Sequence, residues 1–195
     1  MSQYLVFAIA LGVAIVGRPA LGQSEAAPAS PTGDFAITSR DFEPGGTLKE
    51  AQVFKGFGCA GGNVSPQLSW KNAPAGTKSF AVTVYDPDAP TGSGWWHWLI
   101  FNIPASVTQL PAGAGDLAKK LAPAGSVQGR TDFGTPGFGG ACPPKGDKPH
   151  RYIFTVFALK AEKVDVPPTA SAAMIGFSLN AQTLARATVT AQYSR

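Results

Sequence analysis

Between Tyr85 and Pro104 the chain carries two carboxylates, Asp86 and Asp88, one imidazole, His97, and three tryptophans, Trp95, Trp96 and Trp98. Upstream, Phe80–Tyr85 is a short apolar, β-branched run of the kind that forms a largely buried strand. Asp86-Pro87-Asp88-Ala89-Pro90 ends it, because proline cannot donate to a sheet ladder and fixes the turn instead. Gly92 and Gly94 prolong the turn, and Trp96–Ile103 returns as a second strand. A later segment, His150–Leu159, alternates so that His150 and Tyr152 share one face at the start of a strand.

These residue types admit three kinds of chemistry. His97, His150 and Tyr152 are hydrogen-bond donors that suit an anion without a permanent full charge. Histidines with carboxylates also form an acceptable ligand set for zinc or iron, although the spacings match no short metal motif. A histidine can act as general base, but no serine or cysteine nucleophile sits in a recognisable elbow. Against all three stands the plain reading that Asp86 and Asp88 cap a turn.

Residues so placed need strands to position them. With 195 residues, 23 glycines, 17 prolines and only 14% charged residues, the chain reads as one loop-rich, mainly β domain. Its formal charge of +4 is small and scattered, which argues against nucleic acid as a partner. Phe35–Ser39, Gln52–Phe54 and Gln67–Trp70 are further short strands. Both faces of His150–Leu159 are mostly apolar, so this strand is expected to be central and covered on both sides. Ala105–Lys148 is weakly periodic and rich in Gly and Pro, as a functional loop or binding surface would be. From about Ser171, Met174, Phe177, Ala181 and Leu184 fall at helical spacing, and Ala187–Tyr193 alternates as a last strand.

Tyr4–Val16 is apolar but too short to span a bilayer comfortably, and Ala20-Leu21-Gly22 offers small residues for a signal peptidase. Residues 1–22 are therefore read as a signal peptide, 23–33 as a flexible leader, and 34–195 as the folded domain. No cysteine lies near the cleavage point, so no membrane anchor is expected there, and the destination is the periplasm or the exterior. In such a compartment the two cysteines, Cys59 and Cys142, favour a disulfide over two free buried thiols.

Taken together, Asp86-Pro87-Asp88-Ala89-Pro90, His97 before Leu99-Ile100-Phe101-Asn102, Pro143-Pro144-Lys145-Gly146 and His150-Arg151-Tyr152 resemble the phosphatidylethanolamine-binding protein family. Gly58-Cys59, Asn63-Val64-Ser65-Pro66 and Gly92–Trp98 are similar to its bacterial Raf-kinase-inhibitor-like branch. The resemblance implies an antiparallel β-sandwich with Greek-key connections, a few short helices and one small anion pocket. It implies that Asp86, Asp88, His97, His150 and Tyr152 wall that pocket, that Pro90 and Pro144 shape it, and that the Ala89–Pro90 bond is cis. It implies no cofactor and no catalysis, but a binding protein for a phosphorylated or otherwise anionic group that can also occupy a partner protein. A kinase or protease inhibitor is the alternative within the binding class, and a metal-dependent or histidine-based hydrolase lies outside it. The eukaryotic members' C-terminal segment with further ligand contacts has no counterpart after Tyr193, so their lipid and kinase specificity is not carried over. Glycine-rich Gly139-Gly140-Ala141 is expected to add backbone donors, and the carboxylates to orient the imidazoles.

Overall fold

The computed structural model describes residues 33–195, together with Met1. The expected signal peptide and leader otherwise lie outside the described residues. The first strand is β1 (Ala36–Thr38), and a single 3-10 turn follows at Glu50–Gln52. A tight hairpin comes next, β2 (Lys55–Gly56) with β3 (Cys59–Ala60), and then β4 (Leu68–Lys71). The two strands expected around the acidic turn are β5 (Ser79–Asp86) and β6 (Trp95–Pro104). After β7 (Gln109–Leu110) and β8 (Val127–Gln128) come β9 (His150–Leu159), the helix α1 (Ala172–Gln182) and β10 (Thr183–Tyr193).

The strands form an antiparallel sandwich, one sheet ordered β1-β4-β7 and the other β10-β9-β5-β6-β8. Between the sheets lies the main core, built on Trp70, Phe80, Val82, Trp98, Ile100, Phe154 and Val156. The large sheet's outer face carries a second core, where Leu99, Phe101, Phe157 and Leu159 meet Ile175 and Leu179 of α1. That double covering is why β9 is apolar on both faces.

Three local expectations differ from the structure. Gln52–Phe54 is not a strand: Gln52 closes the 3-10 turn and Val53 makes an isolated bridge to Ala141. Ala105–Lys148 is not one loop, since β7 and β8 add edge strands to the two sheets. The helix is present, capped by the Ser171 hydroxyl, but it buries Ala172, Ile175 and Leu179. Met174 and Phe177 point outward, 52% and 72% exposed, and Leu184 lies beyond the helix in β10, so the apolar stripe legible in the sequence is the wrong face and runs past the helix end.

Candidate functional site

A cleft of about 170 Å³ opens at one end of the sandwich. Along β5, Phe80, Val82 and Val84 face the main core, and alternation carries Asp86 onto the same face at the strand's end. In β9 the order is reversed: His150 and Tyr152 precede Phe154 and Val156 on that face. His97 arrives by a different device. Val84 pairs with Trp98 and Tyr85 with Trp96, so His97 is the extra residue of a β-bulge, which re-aims its ring toward the cleft.

Asp86, Pro90, His97, Pro144, His150 and Tyr152 all line the cleft. Asp88 does not. Its carboxylate turns outward and accepts from Arg151 Nε at 2.8 Å, Arg151 Nη2 at 2.9 Å and the Arg151 backbone N–H at 2.9 Å. Those bonds hold the Asp88 carboxyl down at about 2, well below its ordinary range. Asp88 therefore ties the turn to β9 rather than orienting an imidazole. Among the described residues no peptide is cis, so Ala89–Pro90 is trans, and Pro90 shapes the rim in that form.

Asp86 is 3% exposed and its oxygens are filled. One accepts from the backbone N–H groups of Asp88 at 2.8 Å and Ala89 at 3.1 Å; the other receives His150 Nδ1 at 2.8 Å. The carboxylate accepts, so Nδ1 of His150 carries the proton, and Nε2 lies 3.5 Å from Oδ2 of the half-exposed Asp147. His97 is fixed the same way by a carbonyl: its Nδ1 donates to Gly139 O at 2.7 Å, leaving Nε2 unclaimed. Tyr152 is 1% exposed and its hydroxyl has no partner; a backbone group of Cys142 lies close without hydrogen-bond alignment. Burial, reinforced by the nearby Asp86, pushes that phenol well above its ordinary pKa, so it remains a donor.

The backbone donors expected from Gly139–Ala141 are spent elsewhere. Their N–H groups bond His97 O, Asn63 Oδ1 and Gln52 O. The segment packs so closely on residues 52–54 that a Cβ on Gly140 would collide with the Gln52 carbonyl, which explains its glycine. What the loop supplies is the Gly139 carbonyl that sets the His97 tautomer.

Sequence reasoning missed the aromatic wall. Phe133 packs edge-on to His97 at 5.3 Å and to Trp95 at 5.4 Å, and Phe57 stacks on it at 5.9 Å. Phe57 sits at φ 52° in the β2–β3 turn, 69% exposed over the mouth. The Cys59–Cys142 disulfide, as expected, pins that hairpin to the cleft, and Cys142 itself lines it.

Burial also pushes the His97 ring below its ordinary 6.5, opposed by the Gly139 carbonyl and Asp86. The unfolded chain therefore takes up a proton that the native ring resists, and stability falls as the pH drops below about 6.5. In anion-free buffer the urea midpoint should be lower near pH 5 than near pH 7.5, and His97→Gln should flatten the difference. An undiminished difference in His97→Gln would assign it to other groups. Asp88 adds little in this window, since its contribution is lost progressively as the pH falls from its ordinary 3.8 to about 2.

The comparisons with known proteins agree with this architecture. The phosphatidylethanolamine-binding protein family model matches residues 38–194. The chain is 59% identical to the UPF0098 protein YbcL of Escherichia coli (strain K12), over 82% of this chain and 87% of that one. It is 52% identical to YbhB of the same strain, over 81% and 99%. The crystal structure of E. coli YbcL, described as a new member of the mammalian PEBP family, superposes with a TM-score of 0.82 over 84% of this chain and 99% of that one, at 58% identity. A phosphatidylethanolamine-binding protein homologue from Chlamydia trachomatis gives 0.69 at 27% identity, covering 83% and 97%. Fold and sequence coincide, and this chain belongs to the phosphatidylethanolamine-binding protein family.

Proposed function

We propose that the protein is an exported binding protein whose cleft takes a phosphate-type anion bearing a proton. The reading rests on one observation: His97 Nε2, His150 Nε2 and the orphaned Tyr152 hydroxyl all belong to residues lining one largely apolar cleft. A buried polar atom without a partner costs free energy, and a bound oxyanion would satisfy it.

The tautomers narrow the ligand. With Nδ1 carrying the proton, the neutral His97 ring presents a lone pair at Nε2, and His150 Nε2 has the Asp147 carboxylate beside it; both features repel a fully deprotonated oxyanion. Binding then requires a proton, brought either by the ring or by the ligand as a monoprotonated phosphate ester. Both routes tighten binding as the pH falls. A phosphate can bring that proton near neutrality, whereas sulfate cannot.

A binding role is favoured over hydrolysis because the nucleophile-type side chains at the cleft are engaged. The Thr91 hydroxyl donates to Gly94 O, and Cys142 is held in the disulfide. That disulfide also supports export. Among the described residues no helix is long and apolar enough to cross a membrane. Exposed Phe57 at the rim is a surface on which a protein presenting a phosphorylated group could rest, so modulation of such a partner is part of the proposal.

Calorimetry with inorganic phosphate and with sulfate, near pH 5.5 and 7.5, tests the reading. Phosphate should bind several-fold more tightly at the lower pH and exceed sulfate at both. Equal affinity at the two pH values, or for the two anions, would remove the histidines from recognition.

A further inference from the structure

A second cavity of about 220 Å³ lies on the opposite face of the large sheet, between its open half and α1. Its floor is a row of three threonines in register across adjacent strands: Thr188 of β10 opposite Thr155 of β9, itself opposite Thr83 of β5. Thr83 is 3% and Thr155 9% exposed, yet both line the cavity, and neither hydroxyl has a hydrogen-bond partner among the described residues. These hydroxyls are not among the fully buried atoms that lack a partner, so they are reached through the cavity, where the polar groups of a ligand can meet them.

The walls add chemistry of one sign. Arg186 lies over the Phe157 ring at 5.5 Å and gives one Nη2 contact to Asn180 Oδ1 at 3.3 Å. Its remaining N–H groups suit a carboxylate, which the planar fork binds in two-point fashion. No carboxylate lines the cavity, so an anion there meets no repulsion. On the other side Trp96 and Tyr85, 4.6 Å apart, offer an aromatic surface. Gly176 of α1 completes the opening. A Cβ there would meet nothing within 4 Å, so a mid-helix glycine, a costly residue in that setting, leaves the space free.

We propose that this cavity binds a single carboxylated monosaccharide, a hexuronate. The carboxylate pairs with Arg186, the ring hydroxyls donate to and accept from the threonine row, and the apolar ring face lies on Trp96. Threonine hydroxyls can do both, as neighbouring sugar hydroxyls require. The cavity is below the roughly 300–1,000 Å³ of clefts for drug-sized ligands, which limits it to one ring.

The test is an amide chemical-shift titration of the full-length folded protein with potassium D-galacturonate and, in parallel, neutral D-galactose. Saturable shifts are expected at Thr83, Thr155, Gly176 and Thr188, with galactose at least about tenfold weaker, the ratio expected for losing one charge-assisted pair. Gly176→Leu fills the cavity on a better helix former and should abolish the shifts, while Arg186→Gln should erase the preference for the acid. If Gly176→Leu does not fold, Thr83→Val removes one hydroxyl at constant shape and should weaken binding. Shifts absent from these residues or confined to the His97–His150 cleft, equal response to galactose, or undiminished binding by the variant that folds would each overturn the proposal.

Discussion

Asp86→Ala is expected to lower the free energy of unfolding by about 3–5 kcal/mol, because it removes the one acceptor of several buried donors, each of which costs about 1–3 kcal/mol when left unsatisfied. Three donors converge on this carboxyl: two turn N–H groups and Nδ1 of His150. Alanine would leave all of them in a site that is almost inaccessible to water, where each unsatisfied donor carries its own penalty. Asp86→Asn separates the structural role from the functional one. Its amide oxygen can still accept from Asp88 and Ala89, so much of the stability should remain. The amide nitrogen, however, is a donor and would face His150 Nδ1. The ring then does best with its proton on Nε2, turning the cleft-facing nitrogen from acceptor to donor. Asp86→Asn should therefore bind phosphate with a weaker pH dependence than wild type. Urea midpoints of the two variants and calorimetry on Asp86→Asn check both halves. An alanine variant as stable as wild type would show that the turn, not the carboxyl, holds the site together.

Reduction of Cys59–Cys142 is expected to cost about 4–5 kcal/mol. The bridge joins positions 83 residues apart, and releasing so long a loop restores corresponding entropy to the unfolded chain. The folded state loses something as well. The β2–β3 hairpin is otherwise held by Arg195, which donates from Nε to Pro143 O at 2.6 Å and from Nη1 to Gly58 O at 2.9 Å. Without the bridge Phe57 is free to lift from Phe133, and phosphate affinity should fall with stability. Thermal unfolding with and without reductant, together with thiol titration of the denatured protein, reads the first effect. Calorimetry on the Cys59→Ser/Cys142→Ser double variant reads the second. A transition unmoved by reductant that has demonstrably freed two thiols would contradict the entropic account.

Much of this architecture is visible in the sequence because it is written in local patterns. The apolar alternation of His150–Leu159 fixes both the strand and the face that delivers His150 and Tyr152, and the prolines of the acidic turn fix where β5 stops. The helix start is legible in Ser171, whose hydroxyl does cap α1. Its buried face is not, because Met174, Phe177, Ala181 and Leu184 look as apolar as Ala172, Ile175 and Leu179. Only the sheet underneath selects between two faces of similar character. The strands β7 and β8 are likewise too short to register in sequence, and exist because an edge is available to pair with.

The site divides along the same line. Which residues approach the cleft follows from the motifs: Asp86, Pro90, His97, Pro144, His150 and Tyr152 converge there from separate segments. What each of them does was decided by tertiary contacts. Two aspartates two positions apart have opposite fates, because Asp86 meets the buried ring of His150 while Asp88 meets the exposed guanidinium of Arg151. His97 enters the cleft through a bulge, and its tautomer is set by a carbonyl from a loop 42 residues away. Phe133, which walls the site, lies in a stretch with no periodicity to mark it. The sequence alone determined a mainly β chain and where its main strands and turns fall, since periodicity and turn chemistry act over a few neighbouring positions, while the sandwich and the set of converging polar residues followed from the resemblance of its motifs to a known family. Protonation, orientation and the aromatic wall were left to the tertiary structure, because a hydrogen bond or a ring contact depends on which distant group arrives opposite.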